Sequence, residues 1–412
     1  MTNRISNIAK KRLPLRIMAN LAGTTLLALV ATIRLLRPIK ILMFPVDRIG
    51  HTATCIDQFL RRFEMGIVKR DNTLYVGFVT TRPTNEQLLR MYKRKMKSQR
   101  FLIIDAVLLR QMDRSFLHYV ITSIVVRKSV FYQKLPGTDR SNELHEFERA
   151  KQILSFTATE EKEGKSLLEK MGVKEGDWYI CFHSRDSKYL NAVYQKINLD
   201  YHNYRDCDVT NYMKAAEYIV SKGGHAIRVG HIVEKRLPEP HSPRIIDYSL
   251  HYRTDSGDVY LPAKCKFFLA NTTGLFLLST IFSVPVALAN FVPLEYIFWM
   301  RKGDLFIPKN IRSVAEKRLL TFREILEKGA GRYLYSEQYQ KTGLEVIENT
   351  AEETLDLTKE MNERIDGTWI PRDGDEELQL KFRSLFKPSH LCYGFSCQIG
   401  TVFLRKNKHL LE

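Results

Sequence analysis

From residue 39 onward short apolar runs alternate with helix-patterned segments, and this alternation limits the fold more than any other feature of the chain. The first unit reads "IKILMF", then the loop "PVDRIGH", then "TATCIDQFLRRFEMG": a strand, a glycine-containing loop and a helix. Strands are expected again over 73–79 and 101–104, with a helix over 86–97. A second series starts at Trp178 with the strand "WYICF" and the helix "VTNYMKAAEYIVSKGG", which stops at Gly223-Gly224. Strands "HAIRVG" and "RIIDYS", helix "VYLPAKC", strand "KFFLAN", helix "TGLFLLSTIF" and strand "VPVALAN" follow. This is the rhythm of parallel sheets with helices on both faces.

The 412 residues exceed one ordinary core. The expected division is a basic, apolar segment at 1–38, a first α/β domain at 39–160, a second at 161–330, and helices and a tail at 331–412. Tail helices are expected near 321–328, 335–347 and 351–364, and the charged stretch 139–174 holds the hinge. No repeat of solenoid length is present.

A formal charge of +18 calls for an anionic partner. The basic residues crowd 1–130, as in Lys10-Lys11-Arg12 and Lys93-Arg94-Lys95, beside the uncharged run "IMANLAGTTLLALVATI" at 17–33. That placement fits an anionic membrane surface better than a nucleic-acid groove, and no zinc-finger, homeodomain or RNP pattern is present. The run is just short of a spanning helix, is flanked by cations on both sides and has no cleavage site that stands out. It reads as a helix lying in the cytoplasmic leaflet or, alternatively, as a buried first helix. The six cysteines are scattered without a CxxC pair, which reads as reduced thiols.

Chemistry concentrates at strand ends, where open α/β sheets bind ligands. "CFHSRD" places His183 and Arg185 on one side of an extended strand end, and "HNYRD" repeats the His and Arg with Arg205. Paired Arg and His there point to an anionic ligand, since the guanidinium fork grips phosphate oxygens. In "RDCDV" Asp208 is either the cap of the helix that follows or, with Asp206, a metal-binding D-x-D. "ANTTGL" offers Thr272, Thr273 and Gly274 as an anion-binding helix start or as plain capping. Arg228 is a second phosphate contact or a salt-bridge partner, and Asp258 a contact or a cap. In "DRIGH", Gly50 permits close backbone approach and His51 has a side chain suited to accepting a proton near neutrality.

Taken together, "FHSRD", "HNYRD", "YIVSKGGHAIRVG", "RIIDYS", "KFFLANTTGL" and "VPVALANFVPL" resemble a family of bacterial glycosyltransferases from surface-polysaccharide (O-antigen or capsule) gene clusters. "RIGH", "GDLFIPK" and "LLTFREIL" extend the resemblance over most of 40–365. More distantly, His183-Ser184-Arg185 is similar to the H-x-R tripeptide with which fucosyltransferases hold a nucleotide diphosphate. The resemblance implies a GT-B fold: two Rossmann-like domains facing across a crevice, the donor nucleotide-sugar on the second and the acceptor on the first.

The expected activity is metal-independent transfer of a hexose or deoxyhexose to a polyprenyl-diphosphate-linked saccharide, with no cofactor beyond the donor substrate. It would run at the cytoplasmic face of the bacterial inner membrane, peripheral or singly anchored. His51 would serve as the base. His183, Arg185, Arg205, Arg228, Asp258, Thr272, Thr273 and Gly274 would hold the donor diphosphate. A non-catalytic, membrane-associated binder of a phosphorylated ligand and a nucleotide-sugar epimerase of the same shape are the rival readings.

Overall fold

The computed structural model describes residues 13–68, 71–97, 101–105, 116–136, 145–188 and 200–412. The Lys10-Lys11-Arg12 cluster and residues 139–144 of the expected hinge lie outside them. By its contacts the chain forms two units, residues 1–139 with 153–155, and 140–152 with 156–412. The division falls at 139/140, ahead of the 160/161 boundary read from the sequence, and the tail belongs to the second unit.

The first unit begins with the apolar helix α1 (Leu13–Ile33), followed by β1 (Ile39–Met43), α2 (Ile49–Glu64), β2 (Leu74–Val79), α3 (Glu86–Lys97) and β3 (Phe101–Asp105). The strands pair in parallel in the order β1-β2-β3. Residues 131–133 extend the sheet beyond β1, with Ile41 N donating to Phe131 O at 2.7 Å and Gln133 N to Ile41 O at 2.8 Å. Two short helices, α4 (Phe116–Ile121) and α5 (Ile124–Arg127), lie under α1. Val30, Ile39, Ile41, Phe78, Ile121 and Val126 form one buried cluster, so α1 is tied to the sheet by its own core. Gly77 on β2 leaves room for Phe44, whose ring atoms would stand 2.2 Å and 2.4 Å from any Cβ there.

The second unit opens with α6 (Ala158–Lys170), started by a reciprocal Thr157/Glu160 capping box. Next come β4 (Tyr179–Phe182), α7 (Met213–Ser221), β5 (His225–Arg228), β6 (Ile245–Asp247), α8 (Asp255–Lys264), β7 (Phe268–Ala270), α9 (Phe276–Ile281), β8 (Val286–Phe291) and β9 (Leu305–Pro308). After them run β10 (Asn310–Ser313), β11 (Arg318–Leu319), α10 (Ser336–Lys341), β12 (Leu344–Ile347), α11 (Ala351–Ile365) and β13 (Gln398–Ile399). Seven strands form one parallel sheet in the order β13-β9-β8-β7-β4-β5-β6. β4, β5, β7, β8 and β9 are buried along their whole length, as strands covered on both faces must be. Strand order reverses between β4 and β7, the switch point at which doubly wound sheets bind ligands.

The mixed α/β architecture with parallel sheets and an N-terminal apolar helix is as the sequence led us to expect. The helix expected over 335–347 is instead α10 and strand β12, separated by Gly343 at φ +65°, and β12 pairs antiparallel with β10. All six cysteines are free and buried, Cys392 and Cys397 included.

Candidate functional site

The "HSRD" and "HNYRD" segments meet at the switch point. Arg185 follows β4, and its backbone N donates to Asn271 Oδ1 at 3.0 Å. Asn271 follows β7 and is fully buried; its Nδ2 donates to Arg205 O at 2.7 Å. One amide therefore fixes three loops. Cys207 N closes the link by donating to Arg185 O at 3.1 Å.

Arg185 is 7% exposed. Its Nη1 donates to His202 O at 3.4 Å and pairs with the Asp206 carboxylate, while its buried Nη2 has no partner. An unsatisfied buried donor costs about 1–3 kcal/mol, more when charged, so the site favours an anion that would accept from it. Burial first, and the neighbouring Arg205 guanidinium second, push the Arg185 pKa down to about 9, which leaves it charged at neutrality. Arg205 lies over the Tyr204 ring, 5.7 Å from its centroid.

Lys309, just past β9, is a third cation that the sequence reading did not single out. It is buried, and its Nζ donates to Asp206 O at 2.6 Å and Tyr204 O at 3.2 Å. Burial lowers its pKa, and the Arg185 charge adds to the effect. The signal was present in "GDLFIPK", an apolar run of strand length that ends in a lysine.

His183 differs in kind. Its Nδ1 faces Val229 O at 2.8 Å, and burial depresses its pKa to about 4, with the Arg228 and Arg185 charges working in the same direction. It is a neutral hydrogen-bonding group at pH 7, not a cation. Arg228 is turned inward: Nη1 donates to Lys235 O at 2.6 Å and to Asp247 Oδ2 at 3.1 Å. Of its two sequence readings, the salt-bridge partner is the one this geometry matches.

Asp258 sits in α8 and holds Arg253 through two bonds of 3.0 Å and 2.8 Å to Oδ2, while Tyr248 donates to its Oδ1 at 3.0 Å. Burial raises its pKa to about 6. The cap of α8 is Thr254, whose side chain accepts from Gly257 N. Asp208 accepts from Thr210 N at 3.0 Å and pairs with Lys235, which is the capping account of "RDCD". With Asp206 on Arg185, the two carboxylates of the D-x-D take separate partners.

Thr272 and Thr273 are partly exposed beside Asn271. Thr272 Oγ1 accepts from Val292 N at 2.9 Å, which ties this loop to the end of β8. The helix expected directly after Gly274 begins at Phe276 and is only six residues long. Its dipole contribution is therefore slight, and the loop offers backbone N–H groups without a full helix behind them. In the other unit, His51 is exposed in the first turn of α2. Gly50 is buried and helical, so the "DRIGH" loop ends at Arg48 and the glycine is not a loop residue.

The second unit is thus a doubly wound α/β unit with Arg185, Arg205 and Lys309 gathered at its switch point. No family model matches the chain, and no curated protein does. Among solved structures, a glycosyl transferase family 9 protein from Veillonella parvula DSM 2008 is 10% identical over 61% of this chain and 80% of that one, with a TM-score of 0.37. Escherichia coli heptosyltransferase WaaC with ADP is 12% identical over 74% and 99%, with a TM-score of 0.32. The iron-containing dodecameric glycosyltransferase TibC from enterotoxigenic E. coli H10407 is 9% identical over 61% and 57%, also at 0.32. Similarity at that level carries no argument about reaction or ligand.

Proposed function

We propose that this protein is a glycosyltransferase that moves a hexosyl or deoxyhexosyl group from a nucleotide-sugar to a lipid-linked saccharide in bacterial surface-polysaccharide synthesis. The observation that carries the reading is Arg185: a buried guanidinium at the switch point with an orphan Nη2, backed by Arg205 and Lys309. Three cations, one of them offset by the Asp206 carboxylate, leave a net positive charge that suits a diphosphate leaving group. In the proposed reaction the acceptor oxygen bonds to the anomeric carbon as the bond from that carbon to the diphosphate oxygen breaks. The electron pair leaves on the diphosphate, where preorganised cations stabilise it without reorganisation. The acceptor hydroxyl proton passes to a base, for which His51 is the candidate, in an inverting, metal-independent course without further cofactor.

A thermal-shift screen against UDP, GDP, CMP, dTDP and ADP, with and without magnesium, tests the reading. A nucleotide at a hundred times its Kd adds about 2.7 kcal/mol of stability. One nucleotide should stabilise the wild type without metal, and Arg185→Ala should abolish the effect. No stabilisation by any of them would remove the main support. His51→Ala separates enzyme from binder: the transferase loses turnover and keeps nucleotide binding, whereas a binding protein loses nothing.

A further inference from the structure

α1 is long and apolar enough to cross a membrane by length and composition, yet the fold uses it differently. Ala19, Gly23 and Val30 are buried, and Leu26 and Leu27 pack on the cluster that includes Ile121 and Val126. At Gly23 a Cβ would stand 2.8 Å from Ser123 Oγ and 3.2 Å from Val126 Cγ2, so helix and support touch closely. From Ala19 to Val30 the helix is therefore one wall of the first unit. Among the described residues, the helix ahead of that contact runs from Leu13 to Met18, about 9 Å against the ~30 Å of a bilayer core.

The outward surface is apolar beyond the helix itself. Leu21 is 66% exposed, Leu29 58%, Leu35 86% and Leu36 87%, and Ile124 and Val130, in the segment that packs under α1 and just after it, are exposed as well. The exposed hydroxyls are satisfied within the helix: Thr24 donates to Asn20 O at 3.0 Å, Thr25 to Leu21 O at 3.2 Å and Thr32 to Ala28 O at 3.0 Å. Such back-bonding satisfies each hydroxyl within the helix, as suits a medium without water. Arg16, Arg34, Arg127 and Lys128 are exposed cations in the same segments, and residues 13–40 contain no acidic side chain.

We infer that α1 lies in the plane of one leaflet, its outer face sunk among acyl chains together with Leu35, Leu36, Ile124 and Val130, while the exposed cations meet anionic headgroups. The occupant of this face is an anionic lipid leaflet, and the anchor is monotopic. This rests on the lipid-linked acceptor proposed above and is independent of the transfer reaction, which the nucleotide screen reads separately.

Two measurements on the full chain test it. In flotation with phosphatidylcholine vesicles with or without 30% phosphatidylglycerol, binding should require the anionic lipid. Leu21→Glu with Leu29→Glu should weaken it at least tenfold, whereas Leu380→Glu, at an exposed leucine of the other unit, should not. Absence of flotation with either lipid would overturn the membrane placement altogether. Sidedness then tests the mode in inside-out membrane vesicles from cells that make Ser6→Cys or Leu380→Cys, whose six native thiols are buried. An impermeant maleimide should label both positions from the same side. Labelling from opposite sides would show a spanning helix and overturn the in-plane anchor while leaving membrane attachment intact.

Discussion

Arg185, His183 and Asn271 divide the work of the site in ways their letters do not reveal. Arg185 supplies charge, and its removal should weaken diphosphate binding by about 2–3 kcal/mol, or ~30–150-fold in Kd by calorimetry. Arg185→Lys should recover only part of this, because an ammonium cannot reproduce the planar fork. His183 supplies position, and its depressed pKa makes it a pH-dependent element of stability. Between pH 6.5 and about 4 the unfolded chain binds the proton and the folded chain does not. Stability from His183 is thus full above pH 6.5 and is lost as the pH falls toward 4, by about 2 kcal/mol at pH 5. Urea unfolding at pH 7 and pH 5 should show this slope, and His183→Gln should flatten it; an unchanged slope would exclude burial of the ring as its source. Asn271→Ala should both destabilise the unit and loosen nucleotide binding, since it frees the Arg185 and Arg205 loops together.

Individual elements show how far local pattern reaches. The bounds of α3 were legible because apolar spacing agrees with a cap in which Leu88 N donates to Asn85 Oδ1 at 2.8 Å. α11 was legible for a similar reason, since Thr350 and Glu353 form a reciprocal capping box. Thr350→Ala should cost about 1 kcal/mol in chemical denaturation. β9 to β13 were not read as strands, and 335–347 was read as a single helix. A four-residue strand such as β12 has too few positions to show a period, and its antiparallel pairing with β10 joins residues distant in the chain, from Ser313 with Leu344 to Asn310 with Ile347. Gly77 raises the same issue from the opposite side. Its role against Phe44 is tertiary, and Gly77→Ala should cost about 1–3 kcal/mol by overpacking; a neutral result would mean the ring moves freely.

For the whole molecule, charge and surface combine. With a net charge of +18, attachment to anionic vesicles should fall as salt rises from 0.1 to 1 M and the screening length shrinks from about 10 Å to about 3 Å. The apolar face should leave a residual bound fraction that Leu21→Glu with Leu29→Glu removes. The strand-and-helix alternation, the strand-end placing of His183, Arg185 and Thr272, and the apolar helix flanked by cations are written in the order of residues along the chain. Those are properties of near neighbours in the chain, where periodicity and capping act. Tertiary structure alone decided that β7 lies beside β4, which sets Asn271 between Arg185 and Arg205, adds Lys309 and turns Arg228 toward Asp247. It also decided that α1 packs against α4 and α5. Strand order and helix docking are set by which buried surfaces fit across long loops, and no local pattern encodes that fit.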